Sequence, residues 1–204
     1  MRRIIIPFAL MAVLSLAGGC AVRDNPVESP ATQQPDQISS IADNGGITFL
    51  KLPKSHRLEK TVSATGLITV KSGGMIRLSR RVGTAFINMT LSFPPGAVEQ
   101  DTYVTMSLDD ATLGTTVEVA FGPSGMSFLK PGSLDVQAVG LDFSYLPPDV
   151  RSSDVKLLYY NSNTGSWEVV ATDFILINLR AGLLICHDGT IPHFSIYAFG
   201  IIRK

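Results

Sequence analysis

The sequence has no excess of charge of either sign. Its 17 basic residues balance 17 acidic ones, and only 17% of the 204 positions are charged. That excludes the basic surface by which nucleic-acid binders hold phosphate, so no nucleic-acid partner is expected. Cysteine is scarce as well, with Cys20 and Cys186 the whole supply. No segment repeats apolar residues at a sustained helical period; one turn within "PPGAVEQD" is the most the pattern allows. There is no Gly-rich phosphate-binding loop and no Gly-x-Ser-x-Gly elbow. Asp109-Asp110 and Asp142 lack the carboxylate spacing of a calcium loop and read as solvated turns. His187, Asp188 and His193 match no zinc-ligand spacing, so neither a metal nor a cofactor is expected. The length suffices for one substantial domain or two small ones.

The N-terminus is where informative residues first gather. "MRRIII" places Arg2 and Arg3 ahead of the short apolar run "IIIPFALMAVLSLA", which leads into small residues. Residues 1–19 thus read as a secretory signal peptide, too short and wrongly flanked for a lasting membrane span. The stretch Leu16-Ala17-Gly18-Gly19-Cys20 resembles the lipobox of bacterial lipoproteins, with its Leu one position further back than in the commonest pattern. The resemblance implies cleavage before Cys20, a diacylglycerol on its thiol, acylation of the new amino terminus, and attachment to a membrane through that lipid. Several acyl chains on one residue exceed what stable anchoring requires. Ala21 in place of an aspartate leans toward the outer membrane of the cell envelope over the inner. Lipidation consumes Cys20 and leaves Cys186, in the apolar run "LLICH", as an inert buried thiol. Removal of Arg2 and Arg3 leaves 17 − 2 = 15 basic against 17 acidic residues, so the mature chain is near-neutral.

Behind the cysteine, "AVRDNPVESPATQQPDQISSIADNGG" is rich in Pro, Ser, Gln and Asn and nearly free of large apolar side chains. It cannot bury enough surface to offset its ordering entropy. Residues 20–44 are therefore expected to be the lipidated cysteine and a flexible tether, reaching roughly 80 Å at ~3.3 Å per residue. Residues 45–71 supply a strand in "ITFLKL", a loop in "PKSHRLEK" and the alternation of Ile68 and Val70. From there on the period is two. Ile87, Met89, Leu91 and Phe93 alternate with Asn88, Thr90 and Ser92; Val104, Met106 and Leu108 oppose Tyr103, Thr105 and Ser107. Further strands are read in "MIRLS", "TVEVAF", "LDVQAV", "VKLLYY", "SWEVVAT", "FILINL", "GLLICH" and "FSIYAF". Turn signals at "KSGG", "FPPGAV", "GPSG", "KPGS", "LPPD", "NSNTGS", "RAG" and "HDG" separate them. Short strands with Gly and Pro in the breaks indicate an all-β fold, an antiparallel sandwich or barrel.

The run "SGGMIRL", then "LSFPPGAVEQDTYVTMSL", then "VEVAFGPSGMSFLKPGSLDV" is similar to the ZU5 domain, the β-sandwich module of ankyrins, netrin receptors and tight-junction scaffolds. The likeness is clearest from Ser72 to Val139 and weaker to "HFSIYA", which places a ZU5-like sandwich over 72–204. Its carriers are the Pro-Pro-Gly-Ala corner and the Gly-Pro-x-Gly…Phe…Lys-Pro spacing. None of these residues is reactive. Members mostly bind other proteins or act as spacers, so the resemblance implies interaction.

One branch is different. In function-to-find domains and some death-domain proteins, a ZU5-type subdomain cuts itself inside His-Phe-Ser. The corresponding residues here are His193, Phe194 and Ser195. Ser195 would attack the Phe194 carbonyl while His193 takes the hydroxyl proton, and Glu168, Asp173 or Asp188 would orient the base. On one strand, i and i+2 share a face, with Cα atoms about 6.7 Å apart. The alternative is a closing strand in which Phe194, Ile196 and Ala198 alternate with Ser195, Tyr197 and Phe199, entered in extended form through Pro192. Only Ser195 to Lys204 follow the bond, 10 residues, which favours the strand.

The expectation is a lipid-anchored envelope β-sandwich that works as a protein-interaction or spacer module without catalysis. The alternative is self-cleavage at Phe194-Ser195. A third reading, carbohydrate binding, would rest on a platform of Tyr159, Tyr160 and Trp167, although cross-strand aromatics more often stabilise the sheet itself.

Overall fold

A computed structural model of the chain describes residues 46–51, 61–82, 85–108 and 116–202. The signal segment, Cys20, the tether, the loop at 53–60 and Asp109-Asp110 lie outside the described residues. Twelve strands form among the described residues: β1 (Ile47–Phe49), β2 (Val62–Ile68), β3 (Gly74–Val82), β4 (Ala85–Phe93), β5 (Thr102–Leu108), β6 (Glu118–Gly122), β7 (Ser127–Val139), β8 (Val155–Asn161), β9 (Ser166–Val170), β10 (Phe174–Asn178), β11 (Leu183–His193) and β12 (Ile196–Ile202). One sheet runs β2-β5-β6-β12-β8-β9, with β1 alongside β12 past the end of β6; the other runs β10-β11-β7-β4-β3. Every strand pairing is antiparallel. The fold is an all-β antiparallel sandwich, and its two sheets enclose a core of alternating side chains. β1 and β2 belong to it, so the sandwich begins ahead of Ser72.

The alternation read on β4 and β5 is the alternation that folds. Ile87, Met89, Leu91 and Phe93 are buried from one sheet, and Val104, Met106 and Leu108 from the other. The turn Thr69–Gly73 joins edge strand β2 of one sheet to edge strand β3 of the other, closed by two reciprocal 2.9 Å backbone bonds. Gly73 has φ +70, and a Cβ there would lie 2.0 Å from the Phe93 carbonyl oxygen, so no other residue fits. The Pro94-Pro95-Gly96 corner is held from both sides: Gly96 N–H donates to Val70 O at 2.8 Å, and the Lys130 ammonium to Pro95 O at 2.7 Å. Turns and bends carry the chain from there to Gln100, without the helical turn the sequence allowed.

Two expected breaks are absent, and one unexpected break is present. "KPGS" is not a turn: β7 runs straight through it. Pairing with β4 ends at Ser92↔Ser133, so Pro131 lies beyond the last β4 pair, where its missing N–H costs that ladder nothing. "HDG" is a bulge inside β11, with Cys186 opposite Val136 and Gly189 opposite Leu134. Finally, "IPHFSIYAFG" is not one strand. β11 ends at His193 in the five-stranded sheet and β12 begins at Ile196 in the other, so Phe194-Ser195 is a crossing between sheets.

Candidate functional site

The crossing is fastened to the turn between β6 and β7. Phe194 N–H donates to Met126 O at 2.8 Å, Gly125 N–H to Phe194 O at 3.3 Å, and Phe121 N–H to Ser195 O at 3.1 Å. The Phe194 ring lies buried among three others, at centroid distances of 4.6 Å from Phe128, 5.9 Å from Phe121 and 6.1 Å from Phe93. These rings come from β4, β6 and β7, so one side chain joins the two sheets. In the main core the closing stretch buries Phe194, Tyr197, Phe199 and Ile201, so the alternation expected from Phe194 through Ile196 to Ala198 is broken, and Ala198 is buried in the small second core instead. The two-residue crossing shifts the phase.

His193 and Ser195 therefore do not share a strand face. The Ser195 hydroxyl donates to the Tyr160 carbonyl of β8, so its proton is held by backbone and not by the histidine. The half-buried His193 ring meets Tyr159 edge-on at 4.7 Å. Of the three candidate orienting carboxylates, Glu168 is the neighbour of His193, but it faces two other donors. It accepts from the Tyr159 phenol and, at 2.6 Å, from the Asn161 amide. Those bonds, the Tyr159 one foremost, hold its carboxyl below the usual range. Asp173 and Asp188 gather around His187 instead. The one feature at the crossing suited to acyl chemistry is the Gly125 N–H on the carbonyl that Ser195 would attack.

The aromatic trio is split. Tyr159 and Tyr160 are sequence neighbours on β8 and point to opposite faces. Tyr159 joins His193 and Tyr197, whereas Tyr160 and its cross-strand partner Trp167 stand 5.6 Å apart on the other face. Trp167 also packs edge-on against Phe49 at 5.0 Å, clamping β1 over Leu158 and Ala198. Its half-buried ring packs on a small second core.

Among the described residues, no three His, Cys, Asp or Glu side chains converge as a metal site. Cys186 is buried and free, and desolvation pushes its thiol up to about 12. The bulge in β11 yields a pair that the sequence reading missed. His187 and Asp188 both oppose Asp135 of β7, and His187 Nδ1 lies 2.6 Å from Asp135 Oδ1. That hydrogen bond raises the His187 pKa above its ordinary value. No local motif announces the pair, because 52 residues separate its members and only the β7–β11 register joins them.

No protein-family model and no curated protein matches the chain.

Proposed function

We propose that this chain is a ZU5-like sandwich held in the cell envelope by lipid on Cys20, working as a protein-interaction or spacer module with His193-Phe194-Ser195 as a structural corner. The observation that carries the reading is the hydrogen bond from Ser195 to Tyr160, which gives the only nucleophile of the motif a backbone partner in place of a base. The burial of Phe194 supports it, since the middle residue of the motif belongs to the core. A surface for a partner is offered by Leu67 and Tyr103, cross-strand neighbours on the outer face of β2 and β5, with Tyr103 70% exposed. Metabolic labelling with palmitate tests the anchor. Label is expected on the wild type and absent in Cys20→Ser; an unlabelled wild type would contradict the anchor.

The second reading, self-cleavage between Phe194 and Ser195, is favoured by the Gly125 N–H on the Phe194 carbonyl at 3.3 Å. It would require Ser195 to leave Tyr160 and turn toward His193.

A further inference from the structure

The outer face of the five-stranded sheet carries two aligned rows of side chains. Asn88 of β4, Gln137 of β7 and Ile185 of β11 stand in one row. Thr90, Asp135 and the bulged pair His187-Asp188 stand in the next, which Phe174 of edge strand β10 completes opposite His187. All of these except Asp188, which stands just beyond the rim, line an open groove of about 310 Å³, within the range of small-ligand sites.

Three features separate this groove from an ordinary solvated sheet face. The β11 bulge sets two residues against one, a device that re-aims side chains. Within it Asp188 has φ 53, the one positive φ at a non-glycine residue among the described residues, and strain of this kind is kept where a side chain must be placed. The bulge is also locked by its own polar groups. Asp135 Oδ1 receives both His187 Nδ1 and, at 3.1 Å, the Asp188 N–H, and Asp188 receives the Ser133 hydroxyl. His187 is thereby fixed with Nδ1 bound and Nε2 turned away from Asp135. Its ring stands 5.5 Å from that of Phe174, which is 47% exposed.

The chemistry of the lining selects the ligand. No Lys or Arg lines the groove, and Asp135 in its lining, with Asp188 next to it in the bulge, disfavours an anion. Each of these carboxylates already has hydrogen-bond donors, which weakens the case for a bare cation. What remains is two amides, a hydroxyl, an imidazole nitrogen and the outer lone pairs of a carboxylate beside an exposed aromatic ring. Such a set reads hydroxyl groups by direction while the ring covers an apolar face. We propose that this groove binds a neutral saccharide, with Phe174 stacking on a sugar ring and Asn88, Asp135, Gln137 and His187 hydrogen-bonding its hydroxyls. The proposal stands apart from the Tyr160–Trp167 pair and does not depend on the lipid anchor.

The test is a nitrogen-15 NMR titration of the full chain with cellobiose, N,N′-diacetylchitobiose and maltose, and separately with N-acetylarginine amide. At least one sugar is expected to shift the Asn88 and Gln137 side-chain amides saturably. Phe174→Ala and Gln137→Ala should each weaken that binding roughly tenfold. Both are exposed positions, and an otherwise unchanged spectrum verifies the fold. Val169→Ala, on the other sheet, should leave binding as it was. The proposal is overturned by affinities weaker than about 10 mM for all three sugars. It is equally overturned by shifts centred on Tyr160 and Trp167, or by the arginine derivative moving the groove amides at lower concentration than any sugar.

Discussion

The phenol of Tyr197 donates a 2.7 Å hydrogen bond to the backbone carbonyl of His193, four residues earlier in the chain. The bond spans the crossing between the sheets and ties the first strand residues after it to the last residue before it. Tyr197 is fully buried, and that burial raises its pKa. Replacing it by Phe keeps the ring and leaves the His193 carbonyl without its donor. Losing one such part-buried hydrogen bond costs about 0.5–1.5 kcal/mol. Urea denaturation of Tyr197→Phe should show a lower midpoint at unchanged slope. An unaltered midpoint would mean that the bond does not hold the corner.

Phe194 is the hub of the aromatic cluster, so its removal should be felt by the whole domain. Phe194→Ala is expected to cost about 3–5 kcal/mol, the range for emptying a buried phenylalanine site. Phe194→Leu, which refills part of the volume, should cost clearly less. If the residue served only to present a scissile bond, both variants would unfold at the wild-type midpoint, and that result would refute the structural role.

Glu118 on β6 contributes a pH dependence of its own. Desolvation raises its carboxyl from 4.5 to about 7. The folded chain therefore holds this proton over a window in which the unfolded chain has released it. Stability should fall as pH rises from about 4.5 through about 7, by at most about 3 kcal/mol from this group. Glu118→Gln should flatten that part of the stability-against-pH profile. A profile unchanged by the substitution would contradict the assignment.

Much of the fold is legible because half-buried strands alternate, and β4 and β5 do so without interruption. What misled was punctuation whose meaning depends on neighbours in space. Pro131 and Gly132 look like a turn, yet β7 passes through them because β4 has already ended alongside. His187-Asp188-Gly189 looks like a turn and is a bulge, since Asp188 takes up a left-handed conformation within a continuous strand. Phe194-Ser195 looks like strand because the apolar run continues through it, although the chain changes sheets there. At the candidate site, the motif residues were found but their partners were not. Tyr160 is 35 residues from Ser195, and Asp135 is 52 from His187, distances only the folded register closes.

If His193-Phe194-Ser195 is a structural corner, as proposed, the bond between Phe194 and Ser195 stays intact. Intact mass spectrometry of the denatured mature protein, produced in a bacterium that processes lipoproteins, reads the state of that bond. One species is expected, residues 20–204 in a single piece with lipid mass on Cys20, and the same uncut chain from Ser195→Ala. A fragment ending at Phe194 with its partner beginning at Ser195, present in the wild type and lost in Ser195→Ala, would contradict it.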